Sequence, residues 1–307
     1  MDRGLLPSLF FLCIRFKFAQ LPGMQKVLIT GSSGFLGTAI SRAFRKDREL
    51  VCHTHTRGGE GYRAADLRDV DACKQLVDEV QPDILIHPAA YRDPDFCEMH
   101  PQESTLLNVD SVRHLQAGLS RDALFVYVSS DYVFSGQDPP YREEDLQGSV
   151  NLYGRQKMAA EELAAQHPNH LILRMPVLIG EDPVHQPGFI SKMREAIADK
   201  SPRAIDDVLA RFPTWTRDIA EAICFLIQRE QRGVFHCSSE YGGTTYALHQ
   251  VLAELLGENM EHLSPSHEVL VRPAARPRDS QLCPEKILAQ GFTGFKTFPE
   301  VLRELHI

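Results

Sequence analysis

Short apolar runs alternate with amphipathic stretches along this chain of 307 residues, from Met24 onward. The apolar runs are continuous rather than interrupted at every second residue, as expected for strands that are buried on both faces. The stretches between them have the length and periodicity of helices, so each unit is predicted to be a strand followed by a crossover helix. The pattern therefore predicts an α/β fold with a doubly wound parallel sheet.

The predicted elements follow one another regularly as far as Arg174. The predicted strands are Lys26–Thr30, Leu50–His55, Asp83–His87, Leu124–Ser129 and His170–Met175. The predicted helices between them are Phe35–Arg45, Val70–Val80, Pro101–Ser120 and Asn151–Gln166. The predicted later elements are the helix Thr216–Gln228, the strand Gly233–Cys237 and the helix Tyr246–Leu256.

A glycine-rich segment directly follows the first predicted strand. It reads GSSGFLG over residues 31–37 and opens the first predicted helix. The first glycine permits a tight turn, the second lets backbone N–H groups approach a pyrophosphate, and the third lets the helix pack closely against the strand. The segment therefore predicts the dinucleotide-binding turn of a Rossmann-type sheet, with a merely glycine-rich turn as the alternative. The predicted cofactor contacts in it are Gly31, Ser33, Gly34, Phe35, Leu36 and Gly37.

The end of the second predicted strand bears on the choice between NADP and NAD. An NAD site usually has an acidic residue there, about 20 residues beyond the glycines, that binds the ribose 2′-hydroxyl. This chain has Arg57 instead, which favours the 2′-phosphate of NADP; NAD, with Arg57 as a solvated surface residue, is the alternative. Asp66, followed by Leu67, is expected to meet the adenine amino group. His53 and His55 lack a third ligand, so no metal is predicted.

Two small residues, Ala89 and Ala90, follow the strand that ends at His87. They let the backbone pass close to a cofactor, although ordinary packing at a strand end explains them equally well. Asn108, in the following helix, is interpreted as a structural residue that ties this helix to the sheet.

A serine, a tyrosine and a lysine form the predicted catalytic group. Ser130 follows a strand, and Tyr153 and Lys157 lie four residues apart at the start of a helix, where such residues share one face. The pKa of an unperturbed tyrosine is about 10, and a neighbouring ammonium lowers it. We expect Tyr153 to donate a proton to a carbonyl oxygen, Ser130 to hydrogen-bond that oxygen, and Lys157 also to hold the nicotinamide ribose. The next two residues, Asp131 and Tyr132, are predicted to contact the substrate.

Two arginine-containing turns lie in the irregular part of the chain. One spans residues 211–218 and contains Arg211 and Arg217, and the other spans residues 276–282 and contains Arg276 and Arg278. Guanidinium groups bind diphosphates and carboxylates through paired hydrogen bonds, so these arginines are predicted to bind a nucleotide-linked substrate. Surface ion pairing is the alternative.

Composition excludes several classes of protein. The 33 lysines and arginines are outnumbered by 41 aspartates and glutamates, which argues against nucleic acid or an anionic membrane as a partner. The apolar run near the amino terminus is too short to span a bilayer. The 7 cysteines are scattered, odd in number and without a CxxC pair, which favours a reducing compartment and hence the cytoplasm.

The length corresponds to about two domains at ~150 residues each. We predict an NAD(P)-binding domain over residues 24–180, to which residues 215–238 return, and a smaller C-terminal substrate-binding region formed by residues 181–214 and 239–307. Residues 1–23 are interpreted as an extension or a misassigned start, because Met24 opens the first strand; a targeting segment is the alternative.

Several segments together resemble a known family. GSSGFLG, VSSDYVFSG, PYREEDLQGSVNLYGRQKMAAEE, LRMPVLIGE and RPRDSQL resemble dTDP-4-dehydrorhamnose reductases, members of the extended short-chain dehydrogenase/reductase superfamily. The resemblance covers almost the whole chain from Met24. The chain is also similar to the regulatory beta subunits of methionine adenosyltransferase, on the same branch, in AAYRDPDFCEMHP, DPPYREED and RFPT.

The resemblance implies roles for the residues that match the family motifs. Ser130, Tyr153 and Lys157 would be the catalytic triad, and Arg278 with its neighbours would belong to the sugar-nucleotide site. The implied cofactor site comprises Gly31–Gly37, Arg57, Asp66, Ala89 and Ala90. Asp279 stands where the reductases typically have asparagine, which leaves the substrate identity open.

Three functions remain as hypotheses. The first is NADPH-dependent reduction of the C4 keto group of a nucleotide-linked 4-keto-6-deoxy sugar, with dTDP-L-rhamnose as product. The second is a regulatory subunit that binds NADP and a methionine adenosyltransferase. The third is a reductase or epimerase of another sugar nucleotide or a small carbonyl compound. Relatives are often dimers, so the resemblance also allows a homodimer.

Overall fold

The computed structural model describes residues 25–45, 48–55, 62–181, 188–269 and 271–307. Residues 1–23, interpreted above as an extension, and Arg57 lie outside the described residues. In the described part, the strands are β1 (Lys26–Ile29), β2 (Glu49–Thr54), β3 (Tyr62–Ala64), β4 (Ile84–His87), β5 (Leu124–Val128), β6 (His170–Arg174), β7 (Leu178–Ile179), β8 (Arg203–Asp206), β9 (Ala210–Arg211), β10 (Thr214–Trp215), β11 (Gly233–His236), β12 (Gly243–Thr244) and β13 (Leu263–Ser266). The α-helices of the same residues are α1 (Phe35–Phe44), α2 (Val70–Val80), α3 (Pro94–Met99), α4 (Pro101–Thr105), α5 (Ser111–Gly118), α6 (Leu152–Ala164), α7 (Phe189–Ala198), α8 (Thr216–Gln228), α9 (Thr245–Leu256), α10 (Glu285–Ala289) and α11 (Phe298–Glu304).

The main sheet has seven described strands in the order β11-β6-β5-β4-β1-β2-β3. Neighbouring strands run parallel; Val27 of β1, for example, pairs with Leu50 of β2 on one side and with Ile84 of β4 on the other. The chain leaves β1 in one direction toward β2 and later returns on the other side of β1 at β4, so the strand order reverses there. This topology confirms the predicted α/β, Rossmann-type doubly wound sheet.

Helices cover both faces of this sheet. Helices α1 and α8 pack on one face with the side chains of Val27, Ile29 and Ile86. Helices α2, α5 and α6 pack on the other face with Leu28 and Leu85. Because successive strand residues point to opposite faces, each strand must be apolar throughout, which explains the continuous apolar runs of the sequence.

The C-terminal part adds a smaller core beside the sheet. Helices α7, α9 and α11 pack together with Trp215, and short two-strand pairs join β8 with β13 and β9 with β12. Helix α8 and strand β11 belong instead to the main sheet layers. The division of the chain into two domains stays a prediction.

The structure departs from the sequence predictions in several places. Strand β3 and helix α3 were not predicted, and neither were β7–β10, β12, β13, α7, α10 and α11. The predicted single helix over residues 101–120 is interrupted by a π-helical turn, Leu106–Asp110. This turn contains Asn108, whose side chain accepts a hydrogen bond from the Tyr91 N–H (2.8 Å) and donates one to the Gln156 side chain (2.8 Å). A single π-turn adds only about one residue to the helix, a shift too small for the apolar pattern of the sequence to reveal.

No helix in the described ranges combines the length and the apolar character that crossing a bilayer requires.

Two buried histidines are predicted to make stability depend on pH. Burial lowers the pKa of His87 and of His236 to about 3. The unfolded chain takes up protons at these side chains below about pH 6.5, whereas the folded protein does not. Each histidine therefore makes its full contribution to the free energy of unfolding above pH 6.5. As the pH falls toward 3, this contribution declines by up to about 1.4 kcal/mol per pH unit.

Urea denaturation at pH 7.5 and pH 5 tests this expectation. We expect His87→Gln and His236→Gln each to reduce the loss of unfolding free energy between the two pH values. The exposed His267 provides the matched control, and His267→Gln should leave the loss unchanged. Equal losses in all four proteins would contradict the prediction.

Candidate active site

A cavity of about 590 Å³ opens at the carboxyl ends of the central strands. Residues that follow β1, β4 and β5 line it, because parallel strands end at the same edge of a sheet. It lies where the strand order reverses, the usual place for a ligand in an open α/β sheet. Most of the predicted site residues meet in its lining: Gly31, Ser33, Gly34, Phe35, Leu36, Gly37, Asp66, Leu67, Ala89, Ala90, Ser130, Asp131, Tyr132, Tyr153 and Lys157.

The glycine-rich turn forms one wall of the cavity. Gly31 has a φ of +55°, a conformation that favours glycine, and a Cβ at Gly37 would lie 2.2 Å from the Gly31 carbonyl oxygen. No side chain caps the amino end of α1. Its first N–H groups are therefore available to an anion, and the residues present fit the pyrophosphate of a dinucleotide.

Asp66 lies at a second part of the rim, together with an arginine that was not predicted. Arg68 binds the Asp66 carboxylate through Nε (2.9 Å) and Nη2 (2.8 Å) and the Glu103 carboxylate through Nη1 (2.9 Å). The Arg68 guanidinium holds the pKa of Asp66 well below its usual range. Tyr91 also lines the cavity and donates a hydrogen bond to Glu103 (2.6 Å). The position of Arg68, two residues after Asp66, was the available sequence clue.

The predicted catalytic residues lie at the inner end of the cavity. Asn151 caps α6 by accepting a hydrogen bond from the Gly154 N–H (2.9 Å), which places Tyr153 in the first turn. A Cβ at Gly154 would lie 2.0 Å from the Tyr132 carbonyl oxygen, so α6 begins against the segment that follows β5. One turn further along α6, Lys157 donates a hydrogen bond to the Val128 carbonyl oxygen (3.0 Å).

Burial controls the protonation of these groups. It raises the pKa of Tyr153 above its usual value, and hydrogen bonding from Ser130 opposes this rise. The sequence analysis predicted that Lys157 lowers the pKa of Tyr153, and this prediction was wrong. The pKa is raised because loss of solvent around the phenol has the larger effect. Burial also lowers the pKa of Lys157 to about 8. Tyr153 therefore retains its proton at neutral pH.

Asp131 connects the catalytic loop to the C-terminal segment. Its carboxylate accepts hydrogen bonds from the hydroxyls of Ser130 (3.0 Å) and Ser280 (2.5 Å). Burial raises the pKa of Asp131 to about 6, although both hydroxyls lower it. Ser280 was noted in the sequence only as part of a motif, and its contact with Asp131 spans 149 positions.

The arginines of the two predicted substrate turns lie in different environments. Arg211, which opens the first of these turns, lines the cavity. Arg217 and Arg278 do not belong to the described lining. Arg217 lies on an exposed face of α8 and binds Glu221 (3.2 Å). The Arg278 side chain is exposed, and its carbonyl oxygen accepts from the Ala210 N–H (2.8 Å).

No group of three or more potential metal ligands occurs among the residues that the structure describes. His53 and His55 both line the cavity. The His53 ring instead interacts with the Ala65 carbonyl oxygen (2.9 Å).

Three features define an extended short-chain dehydrogenase/reductase fold. They are the order of the strands in the sheet, the glycine turn, and a tyrosine and a lysine one helical turn apart. The family model for the RmlD substrate binding domain matches residues 24–306. The chain belongs to this family.

Relatives agree with this assignment. Methionine adenosyltransferase 2 subunit beta of Bos taurus is 33% identical over 269 residues, which are 84% of this chain and 80% of the relative. The "Probable low-salt glycan biosynthesis reductase Agl14" of Haloferax volcanii is 29% identical and covers 83% of this chain and 88% of its own. The crystal structure of dTDP-4-dehydrorhamnose reductase from Bacillus anthracis in complex with NADP is 24% identical, has a TM-score of 0.83 and covers 92% of this chain and 98% of its own.

Gly37→Ala is predicted to damage the glycine turn. The new Cβ would meet the Gly31 carbonyl oxygen at 2.2 Å and the Ser32 Cα at 2.7 Å, and both are backbone atoms that cannot move independently of the turn. We expect destabilisation of about 1–3 kcal/mol and NADPH binding weakened by about tenfold or more, measured by urea denaturation and by fluorescence titration.

Gly148→Ala is the matched control, because its Cβ would make only an ordinary contact of 3.7 Å with the Ser135 Cβ. The Gly37 variant should be less stable and bind NADPH more weakly than this control. Equal values would contradict the role of the close approach between Gly37 and the Gly31 carbonyl oxygen.

Proposed function

We propose that this protein uses NADPH to reduce the C4 keto group of a nucleotide-linked 4-keto-6-deoxy sugar, as a dTDP-4-dehydrorhamnose reductase does. The observation that carries the proposal is the common cavity of the glycine turn and the group formed by Ser130, Tyr153 and Lys157. A reductase needs both parts beside each other, because a bound nicotinamide supplies the hydride and the protein must supply the proton.

Tyr153 is the proton donor in this proposal. Its raised pKa keeps the phenol protonated until the carbonyl oxygen of the substrate acquires negative charge. Ser130 hydrogen-bonds the same oxygen. Lys157 holds the nicotinamide ribose, and as a cation it favours the phenolate that remains after proton transfer.

The two ends of the cavity have separate binding roles. For the cofactor, the N–H groups at the start of α1 bind the pyrophosphate, Asp66 meets the adenine and Arg57 binds the 2′-phosphate of NADP; NAD remains the alternative. For the sugar nucleotide, Asp131, Tyr132 and Arg211 line the substrate end. No disulfide joins the six cysteines of the described residues, in keeping with the proposed cytoplasmic location.

Tyr153→Phe is predicted to remove the reaction but not the binding. We expect oxidation of NADPH with dTDP-4-dehydro-6-deoxy-L-mannose, followed at the nicotinamide absorbance, to fall by roughly 10²-fold or more. The dissociation constant of NADPH should stay within about threefold, because the variant lacks only a hydroxyl.

Tyr246→Phe makes the same chemical change on α9, outside the lining of the cavity, and should retain full activity. Turnover by the Tyr153 variant equal to that of this control would contradict the catalytic assignment. Wild-type protein that binds NADPH tightly but never oxidises it with this sugar would contradict the proposed substrate; turnover of another sugar nucleotide or small carbonyl compound would support the third hypothesis.

A second function is a regulatory subunit of methionine adenosyltransferase. It is favoured by the identity of 32–33% to beta subunits from several vertebrates. We expect, under this proposal, a stable complex with the catalytic subunit of a methionine adenosyltransferase in size-exclusion chromatography and altered synthetase kinetics. Absence of association at micromolar concentrations would contradict it, and elution of the chain alone would show whether it forms a homodimer.

A further inference from the structure

A buried carboxylate on α6 has no role in the proposal above. Glu161 accepts hydrogen bonds from the Ser129 hydroxyl, from Gln147 Nε2 (2.6 Å) and from Arg174 through Nε (3.0 Å) and Nη2 (2.8 Å). Only 6% of the Glu161 side chain and 5% of the Arg174 side chain are exposed. These donors satisfy both oxygens and fix the carboxylate in one position.

Glu161 shares one face of α6 with the catalytic residues. Tyr153, Lys157 and Glu161 follow one another at intervals of four residues, so each lies one turn beyond the last. Lys157 binds the Val128 carbonyl oxygen and Glu161 binds the Ser129 side chain, so these two turns of α6 contact consecutive residues at the end of β5. The next residue, Ser130, is the proposed ligand of the reacting oxygen.

Glu161 also acts electrostatically on Lys157. The Lys157 Nζ lies 4.9 Å from the ring centroid of Tyr127 and 5.9 Å from that of Tyr153. Burial raises the pKa of both phenols, which keeps them neutral. The other titratable groups that act on Lys157 are the Cys97 thiol, whose pKa burial raises, and the neutral His87. Burial lowers the pKa of Lys157, and Glu161 is the largest opposing influence.

Arg174 is the cation that pairs with Glu161. It also donates to the Glu143 carbonyl oxygen (3.0 Å), which joins the pair to the loop that precedes α6. Without Glu161, the buried Arg174 would lose the carboxylate with which it pairs. Removing one member of a buried pair is costly, because the other charge stays in the low-dielectric interior.

We propose that Glu161 is a positioning residue of the active site: clamped by Arg174 and Ser129, its carboxylate holds Lys157 in the ammonium form and fixes the end of β5 that carries Ser130. The catalytic consequence rests on the proposed function, since a charged Lys157 favours proton transfer from Tyr153. The electrostatic part concerns the protein alone and is independent of substrate.

The titration of Lys157 tests the proposal directly. Protein labelled with ¹³C at the lysine Cε is titrated by NMR, and the Lys157 resonance is identified by its absence from Lys157→Arg. In Glu161→Gln, an amide replaces the carboxylate with little change of shape. We expect the midpoint of Lys157 to move to lower pH by about one unit or more, the usual effect of losing an adjacent opposite charge.

Two further variants guard against loss of folding and against a purely structural effect. Glu161→Gln/Arg174→Gln removes both charges of the pair, so no unpaired arginine remains. A downward shift is again expected, smaller than in the single variant because a nearby cation is lost together with the anion. Gln147→Ala removes a hydrogen bond to the same carboxylate but no charge, and its Lys157 midpoint should match the wild type. The proposal would be overturned if the Lys157 midpoint of the folded double variant lay within about 0.3 pH unit of the wild-type value. That difference is a twofold change in the acid constant.

Arg174→Lys keeps the carboxylate paired with a cation and covers the case in which both glutamine variants fail to fold. Its Lys157 midpoint is expected to stay at the wild-type value, and a downward shift of about one unit would overturn the proposal. Because no titration uses cofactor or sugar, a negative result here differs from failure of the Tyr153→Phe test, which concerns turnover.

Discussion

The close approach of α1 to β1 is the constraint on which the cavity depends. Gly37 has no space for a side chain beside the Gly31 carbonyl oxygen, and Gly31 itself takes a conformation that favours glycine. This contact aims the uncapped amino end of α1 at the sheet edge where β4 and β5 also end. Because the strands are parallel, the groups that follow β5 lie at the same edge, so anion-binding and proton-donating groups share one cavity.

Burial, more than charge pairing, determines the protonation states at the inner end of this cavity. It raises the pKa of Tyr153 and Asp131 and lowers that of Lys157. Each shift favours the neutral form, as loss of solvent around an ionisable group requires. The buried carboxylate of Glu161, which Arg174 and Ser129 hold in place one turn away on the same helix, opposes this tendency at Lys157. The balance between burial and this one anion decides the charge available beside Tyr153.

Membership of the RmlD substrate-binding domain family is established by the match over residues 24–306, but relatives in that family differ in what they do. One relative is a subunit of methionine adenosyltransferase and another carries the name of a reductase. The cofactor part of the cavity is compatible with both roles. In the proposed substrate part, Arg211 lines the cavity, whereas Arg217 and Arg278 are exposed outside the described lining. Counting every arginine of the two predicted turns therefore overestimates the positive charge inside the cavity.

The sequence by itself determined the doubly wound sheet, the bounds of α2 and α8, the glycine turn and the spacing of Tyr153 and Lys157. These features depend on residues within one strand or a few helical turns, so periodicity and spacing reveal them. The tertiary structure alone decided the contact of Ser280 with Asp131, the pairing of Arg68 with Glu103 and the clamp of Arg174 on Glu161. These contacts join separate elements, and their effect on pKa depends on how much water the folded chain excludes, which no local pattern contains.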